Sequence, residues 1–101
     1  MTSHRARQME LLHFAARDGE IDMVRAALDA GTDVNQPADN DWTALHFAAQ
    51  KGHTFVVDLL LGRGADVRAK TIEGYTPLDV AITHDHSSII EQLLAYGRRA
   101  R

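Results

Sequence analysis

The sequence predicts an all-α repeat fold: three stacked helix-turn-helix units. Three observations carry this. Gly31, Gly64 and Gly97 recur every 33 residues, as do Leu12, Leu45 and Leu78, and Ala15, Ala48 and Ala81. Laying residues 5–37 on 38–70 gives eleven identities, where roughly two would arise by chance at average residue usage. Laying 38–70 on the chain from residue 71 gives seven more, including Thr76, Leu78, Ala81, His86 and Gly97. A period of this length marks a stack in which each unit covers its neighbour's apolar side. The units are assigned to 5–37, 38–70 and 71–101 of one domain spanning 1–101, with the first and last as caps.

Each element has its own signals. In the first unit an Ala-containing helix runs through Leu12 to Ala16 and is broken by Gly19. In the second, Thr43 stands as N-cap before Ala48 and Ala49, small residues that let neighbouring helices approach. Gly52 ends that helix. A second helix comes next, whose buried stripe is Val56, Val57, Leu60 and Leu61. Gly64 closes it with a left-handed residue, and Ala65–Lys70 is expected to run extended into the turn at Gly74. In the third, Thr76 caps and Pro77 takes the first helical position, where its missing N–H costs nothing. Helices of about eight to ten residues are marginal alone. They are expected to persist only when stacked.

Composition narrows the function. The chain has no cysteine, which excludes disulfides, thiolate metal sites and a cysteine nucleophile. No apolar run nears the roughly 18 residues that span a membrane. The basic start is not followed by an apolar stretch, so it does not read as a secretory signal. Net charge is −3, but Arg5, Arg7, Arg98, Arg99 and Arg101 stand at the tips. Residues 9–97 therefore hold six basic residues against fourteen acids, a balance of −8. Such a body repels phosphate and favours a basic partner.

These residues resemble the ankyrin repeat. The middle unit carries Trp42-Thr43-Ala44-Leu45-His46-Phe47-Ala48-Ala49, then Gly52-His53, Val56-Val57, Leu59-Leu60-Leu61 and Gly64-Ala65-Asp66-Val67. The third supplies Gly74-Tyr75-Thr76-Pro77-Leu78. The first supplies Leu12-His13-Phe14-Ala15-Ala16 and Gly31-Thr32-Asp33-Val34-Asn35. The likeness spans roughly residues 5 to 97. It departs at the ends. The first unit has Gln8-Met9-Glu10-Leu11 in place of the turn, so Thr2–Gln8 are expected frayed or helical. The third has Asp79 for the motif histidine, Asp85 for the helix-ending glycine, and Arg-Arg-Ala-Arg after Gly97.

Other constellations have plainer readings. His84-Asp85-His86 suggests a metal, yet His86 repeats His53, and His13 and His46 share a scaffold position. Zinc needs three or four converging ligands, so no metal and no cofactor are expected. Asp33, Asp39 and Asp41 lack the calcium-loop spacing. Ser87 and Ser88 start the last helix, as cap residues do, and no nucleophile–base pair can be assembled; the chain reads as non-enzymatic. The arginine ends could touch polyanions, though a cationic last turn also offsets a helix dipole.

The resemblance implies an ankyrin-type solenoid with β-hairpin-like connecting loops, and a concave binding face formed by the hairpin tips and inner helices. Its residues here are Trp42 and Tyr75 before the threonines, and Asp39, Asn40, Ile72 and Glu73 in the turns. On the inner helices they are Arg17, Asp18, Gln50, Lys51, Thr83 and His84, with Arg63 before a helix-ending glycine. These positions differ between units while the scaffold repeats, and aromatics and arginine are common interface anchors. The expected function is a non-catalytic protein–protein interaction module: an adaptor, inhibitor or scaffold. The alternative is polyanion or nucleic-acid contact through the arginine-rich termini. The expected partner is another protein, one with a basic surface if charge selects it, with no nucleic acid or membrane. The chain is expected to be cytoplasmic and mostly monomeric, with weak self-association admitted at the stack end near Ile82 and Ile89.

Overall fold

Threonine caps, alanine contacts and glycine stops organise the chain into paired helices. The computed structural model describes residues 9–99. The first pair is α1 (Leu11–Asp18) and α2 (Ile21–Asp29). The second is α3 (Ala44–Lys51) and α4 (Thr54–Gly62). The third is α5 (Pro77–Thr83) and α6 (Ser87–Arg99). Among the described residues there is no strand; the connecting loops close as tight turns. The Ala38 N–H donates to the Trp42 carbonyl (2.7 Å), and the Thr71 N–H does the same to Tyr75 one unit later (2.9 Å).

Helices α1, α3 and α5 stack in an inner row, and α2, α4 and α6 in an outer one. The stack measures 43 × 29 × 26 Å. The inner row is close because its contact faces are Ala15, Ala16, Ala48, Ala49 and Ala81, all buried. Larger side chains fill the space between rows: Leu12, Leu45, Val56, Val57 and Leu60 are at most 1% exposed. Each such chain contributes about 1.5–3 kcal/mol by leaving water.

Histidines tie one unit to the next. In α3 the Thr43 N–H donates to His46 Nδ1 (3.1 Å), which makes that nitrogen the acceptor. The Nε2–H of His46 then donates to the Tyr75 carbonyl of the following turn (2.9 Å). His13 repeats the first of these bonds, taking the Glu10 N–H, but gives its Nε2–H to the Gln36 carbonyl and not to Trp42, the register equivalent of Tyr75. At the far end of the inner helices, His53 donates to the Arg17 carbonyl and His86 to that of Gln50, both at 2.9 Å. These rings press against Gly19 and Gly52. A Cβ on either glycine would lie 2.7–2.8 Å from a ring atom, and both have positive φ. Glycine is required there twice over.

Three expectations change. Gly97 does not end a helix: α6 runs on to Arg99, and Gly97 is not among the left-handed glycines. A glycine stops a helix when the chain turns after it, and Arg98-Arg99 continue the helix instead. Ala65–Lys70 is not extended, because Asp66 turns it: its Oδ1 takes the Arg68 N–H (2.9 Å). Ile89 is fully buried in the core, which leaves Ile82 and Leu94 as the apolar residues exposed at that end. Tyr96, in register with Arg63, is partly buried and donates its hydroxyl to the Leu61 carbonyl (2.7 Å). The expectation for Thr2–Gln8 lies outside the described residues.

Candidate functional site

The turns before α3 and α5 each place an aromatic at the same register, Trp42 and Tyr75. The Trp42 ring is half-buried, held by tilted contacts with His46 (5.5 Å between centroids) and Phe47 (5.1 Å). Tyr75, 49% exposed, is set by a buried threonine: Thr71 Oγ1 takes the N–H groups of both Tyr75 (3.1 Å) and Glu73 (3.3 Å). The two tips are joined where the Ile72 N–H donates to the Asn40 carbonyl (2.8 Å).

Between these turns and helices α3 and α5 lies a cleft of about 220 Å³. Trp42, Tyr75, Gln50, Glu73, Thr83 and His84 line it, so six of the thirteen positions singled out from the sequence converge. Asp79 and Val80 complete the lining and were missed. Asp79 stands where the other units have histidine, which was the available signal. Its Oδ2 takes the Thr76 N–H (3.0 Å), so it keeps the capping half of the histidine's role. It has no proton with which to bridge onward. His84 is oriented by its Nδ1–H, given to the Val80 carbonyl (3.0 Å), and by stacking on His86 (6.3 Å, 7°).

The other seven positions lie outside the cleft. Asp39, Asn40 and Ile72 form the outer edge of the tips, and Ile72 is 69% exposed. Lys51 is exposed on the last turn of α3. Arg17 and Asp18 end α1 as a pair (3.0 Å), and that hydrogen bond holds the Asp18 carboxyl below the usual carboxylate range. The Arg17 guanidinium also covers the Phe14 ring (5.1 Å). Arg63 corrects an expectation: it does not share a face with Trp42 and Tyr75. It pairs with Asp29 and borders a groove of the outer helices with Arg25, Phe55 and Asp58. One residue before a glycine fixes a place along the repeat, but the end of an outer helix belongs to the opposite side.

A wider hollow of about 700 Å³ sits at the last unit between Val67, Leu78, Leu93 and Leu94, flanked by Arg68 and Arg98. It lacks the aromatic pair and the carboxylates. Among the described residues, no three His, Asp or Glu are placed to hold a metal ion. Asp33 instead accepts the Asn35 N–H (2.9 Å) as a turn residue.

The comparison with family models rests on the same repeats: the model for ankyrin repeats, in three copies, matches residues 12–100. The chain belongs to the ankyrin-repeat family. Ankyrin repeats are generally protein–protein interaction modules and are typically not catalytic. Among curated proteins, none matches the chain. Among the described residues, no helix of this ankyrin stack is long and apolar enough to cross a membrane.

Proposed function

We propose that this ankyrin stack is a non-catalytic module that binds a partner protein through its hairpin tips and inner helices, as an adaptor, inhibitor or scaffold. The observation that carries the reading is the cleft itself. Trp42 and Tyr75 come from successive units and flank one hollow with Gln50, Glu73, Thr83 and His84. Rigid aromatics around a few polar groups are the usual make-up of an interface hot spot. Asp39, Asn40, Ile72, Lys51, Arg17 and Asp18 extend the same contact surface. Arg63 serves a second, outer surface. The acidic body suits a partner with a basic surface, and the reading places the chain in the cytoplasm as a monomer.

The test begins with a partner recovered from the native host and its affinity measured by calorimetry. Trp42→Ala/Tyr75→Ala, checked for helicity by circular dichroism, is expected to cost at least about 2 kcal/mol, roughly 30-fold in Kd. Full-strength binding by the folded variant removes this face from consideration. The polyanion reading has less support: Arg98 and Arg99 occupy the last turn of α6, where cations offset the helix dipole.

A further inference from the structure

We propose that the cleft between Trp42 and Tyr75 receives a single arginine side chain from a basic segment of the partner. This rests on the interaction-module reading above and names the chemistry its central cleft selects.

Four features of the lining point the same way. Two aromatic residues, one from each tip, line it, and a guanidinium stacks favourably on aromatic rings. Two carboxylates, Glu73 and Asp79, line the same hollow, and among the described residues neither has an ion-pair partner. No lysine or arginine lines it. Its remaining polar groups can serve as acceptors. His84 commits Nδ1–H to the Val80 carbonyl, which leaves Nε2 as the ring nitrogen available to a ligand. Gln50 and Thr83 add an amide and a hydroxyl.

Size and shape narrow the ligand. At about 220 Å³ the cleft is smaller than the roughly 300–1,000 Å³ of sites that enclose whole small molecules. It suits one long side chain of a larger partner. Arginine fits better than lysine because its planar group can stack on a ring and reach carboxylate oxygens with several N–H donors at once. Asp79 is held for this by the Thr76 N–H on Oδ2, which fixes the carboxylate without neutralising it. The surplus of acids over residues 9–97 adds a field that draws a basic segment in.

The experiment uses the full chain, labelled with nitrogen-15, and two probe peptides: acetyl-Gly-Gly-Arg-Gly-Gly-amide and its citrulline counterpart. Citrulline keeps the length and planarity of arginine and removes the charge. With the arginine peptide, shifts are expected at the Trp42 indole N–H, the only indole in the chain, and at the amides of Gln50, Tyr75 and Thr83. The citrulline peptide is expected to bind at least about ten-fold more weakly. Glu73→Gln/Asp79→Asn is expected to weaken the arginine peptide by a similar factor. The side-chain amide oxygen that Asp79→Asn introduces can still accept from the Thr76 N–H, so the double variant should melt as the parent does.

Equal binding of the two peptides overturns the proposal, as do shifts confined to residues outside the cleft. If Trp42→Ala/Tyr75→Ala loses the native partner while the arginine peptide fails to bind, the arginine proposal falls and the interaction face stands. A partner retained by that variant removes the face reading instead, whatever the peptides do.

Discussion

At the scale of single residues, His46 does the work of several groups. It is fully buried, yet both ring nitrogens are used: one accepts from Thr43 and the other donates to Tyr75. That arrangement needs the neutral ring. Protonation would set an N–H against the Thr43 N–H in a buried site. Burial accordingly pushes the imidazole below its ordinary value of 6.5, and the Tyr75 carbonyl opposes this with smaller effect. The unfolded chain therefore takes up the proton at a higher pH than the folded one. The contribution of His46 is complete above about 6.5 and is lost as pH falls below it. His46→Asp, which copies the residue at position 79, is expected to cost about 1–3 kcal/mol at pH 7.5, because the Tyr75 carbonyl loses one of its two donors and keeps only the Thr71 N–H. The gap in melting temperature between parent and variant should narrow from pH 7.5 to 5.5. A constant gap would rule out titration of this ring. The sequence marks His46 as a scaffold residue fixing its own turn. Its second bond, to a residue 29 positions away, is not legible there, because a repeat pattern shows recurrence and not reach.

At the scale of elements, the path of the chain beyond a glycine decides whether that glycine ends a helix. Gly19 and Gly52 are stops, as the sequence predicts, and each is left-handed with a histidine of the next unit against it. Gly97, in register with Gly64, lies inside α6. Asp85 replaces the stop of α5 and still adopts φ 59, in the left-handed region that Asp tolerates better than most residues. Two substitutions should therefore move in opposite directions. Gly52→Ala is expected to destabilise by about 1–3 kcal/mol through backbone strain, with the His86 ring 2.8 Å from the new carbon adding to it. Asp85→Gly should stabilise by up to about 1 kcal/mol, or several degrees in the melt of a domain this size. Thermal melts of both would test this, and shifts in the same direction would contradict it. The cleft is partly legible for a similar reason. Trp42 and Tyr75 stand out as variable positions in a fixed register, whereas Asp79 reads as a departure from pattern and not as lining. Arg63 falls on the other side because position along the repeat does not report which row of helices a residue ends.

At the scale of the whole molecule, stability is shared between neighbours. Helices α1 to α6 have 7 to 13 residues, mostly too short to persist alone in water. Val57, Leu60 and Leu61 of α4 lie in the common core with Ile89 and Leu93 of α6. Outer-row hydrogen bonds run the same way, from Gln92 to the Thr54 carbonyl and from Tyr96 to that of Leu61. Removing residues 71–101 should expose the α4 stripe and leave two units without a cooperative melt by circular dichroism. A sharp transition in the shortened chain would show that two units suffice. The three-unit plan, its register and its inner and outer stripes are all readable from the sequence, because a stack of like units repeats its packing requirements.

The histidine bonds carry one more consequence, which concerns how such a chain can grow. Each links a unit only to its neighbour: His46 to Tyr75, His53 to Arg17 and His86 to Gln50. Suppose residues 38–70 were duplicated in tandem. The new copy of His46 would find the Tyr75 carbonyl, and the old one the carbonyl of the new tryptophan. The new copy of His53 would reach the old Gln50, and His86 the new one. Each of these histidines would meet a backbone carbonyl at the register that Tyr75, Arg17 or Gln50 now occupies. A duplication of this segment is thus expected to fold without compensating change, because bonds that reach only the neighbouring unit set no upper limit on the number of units.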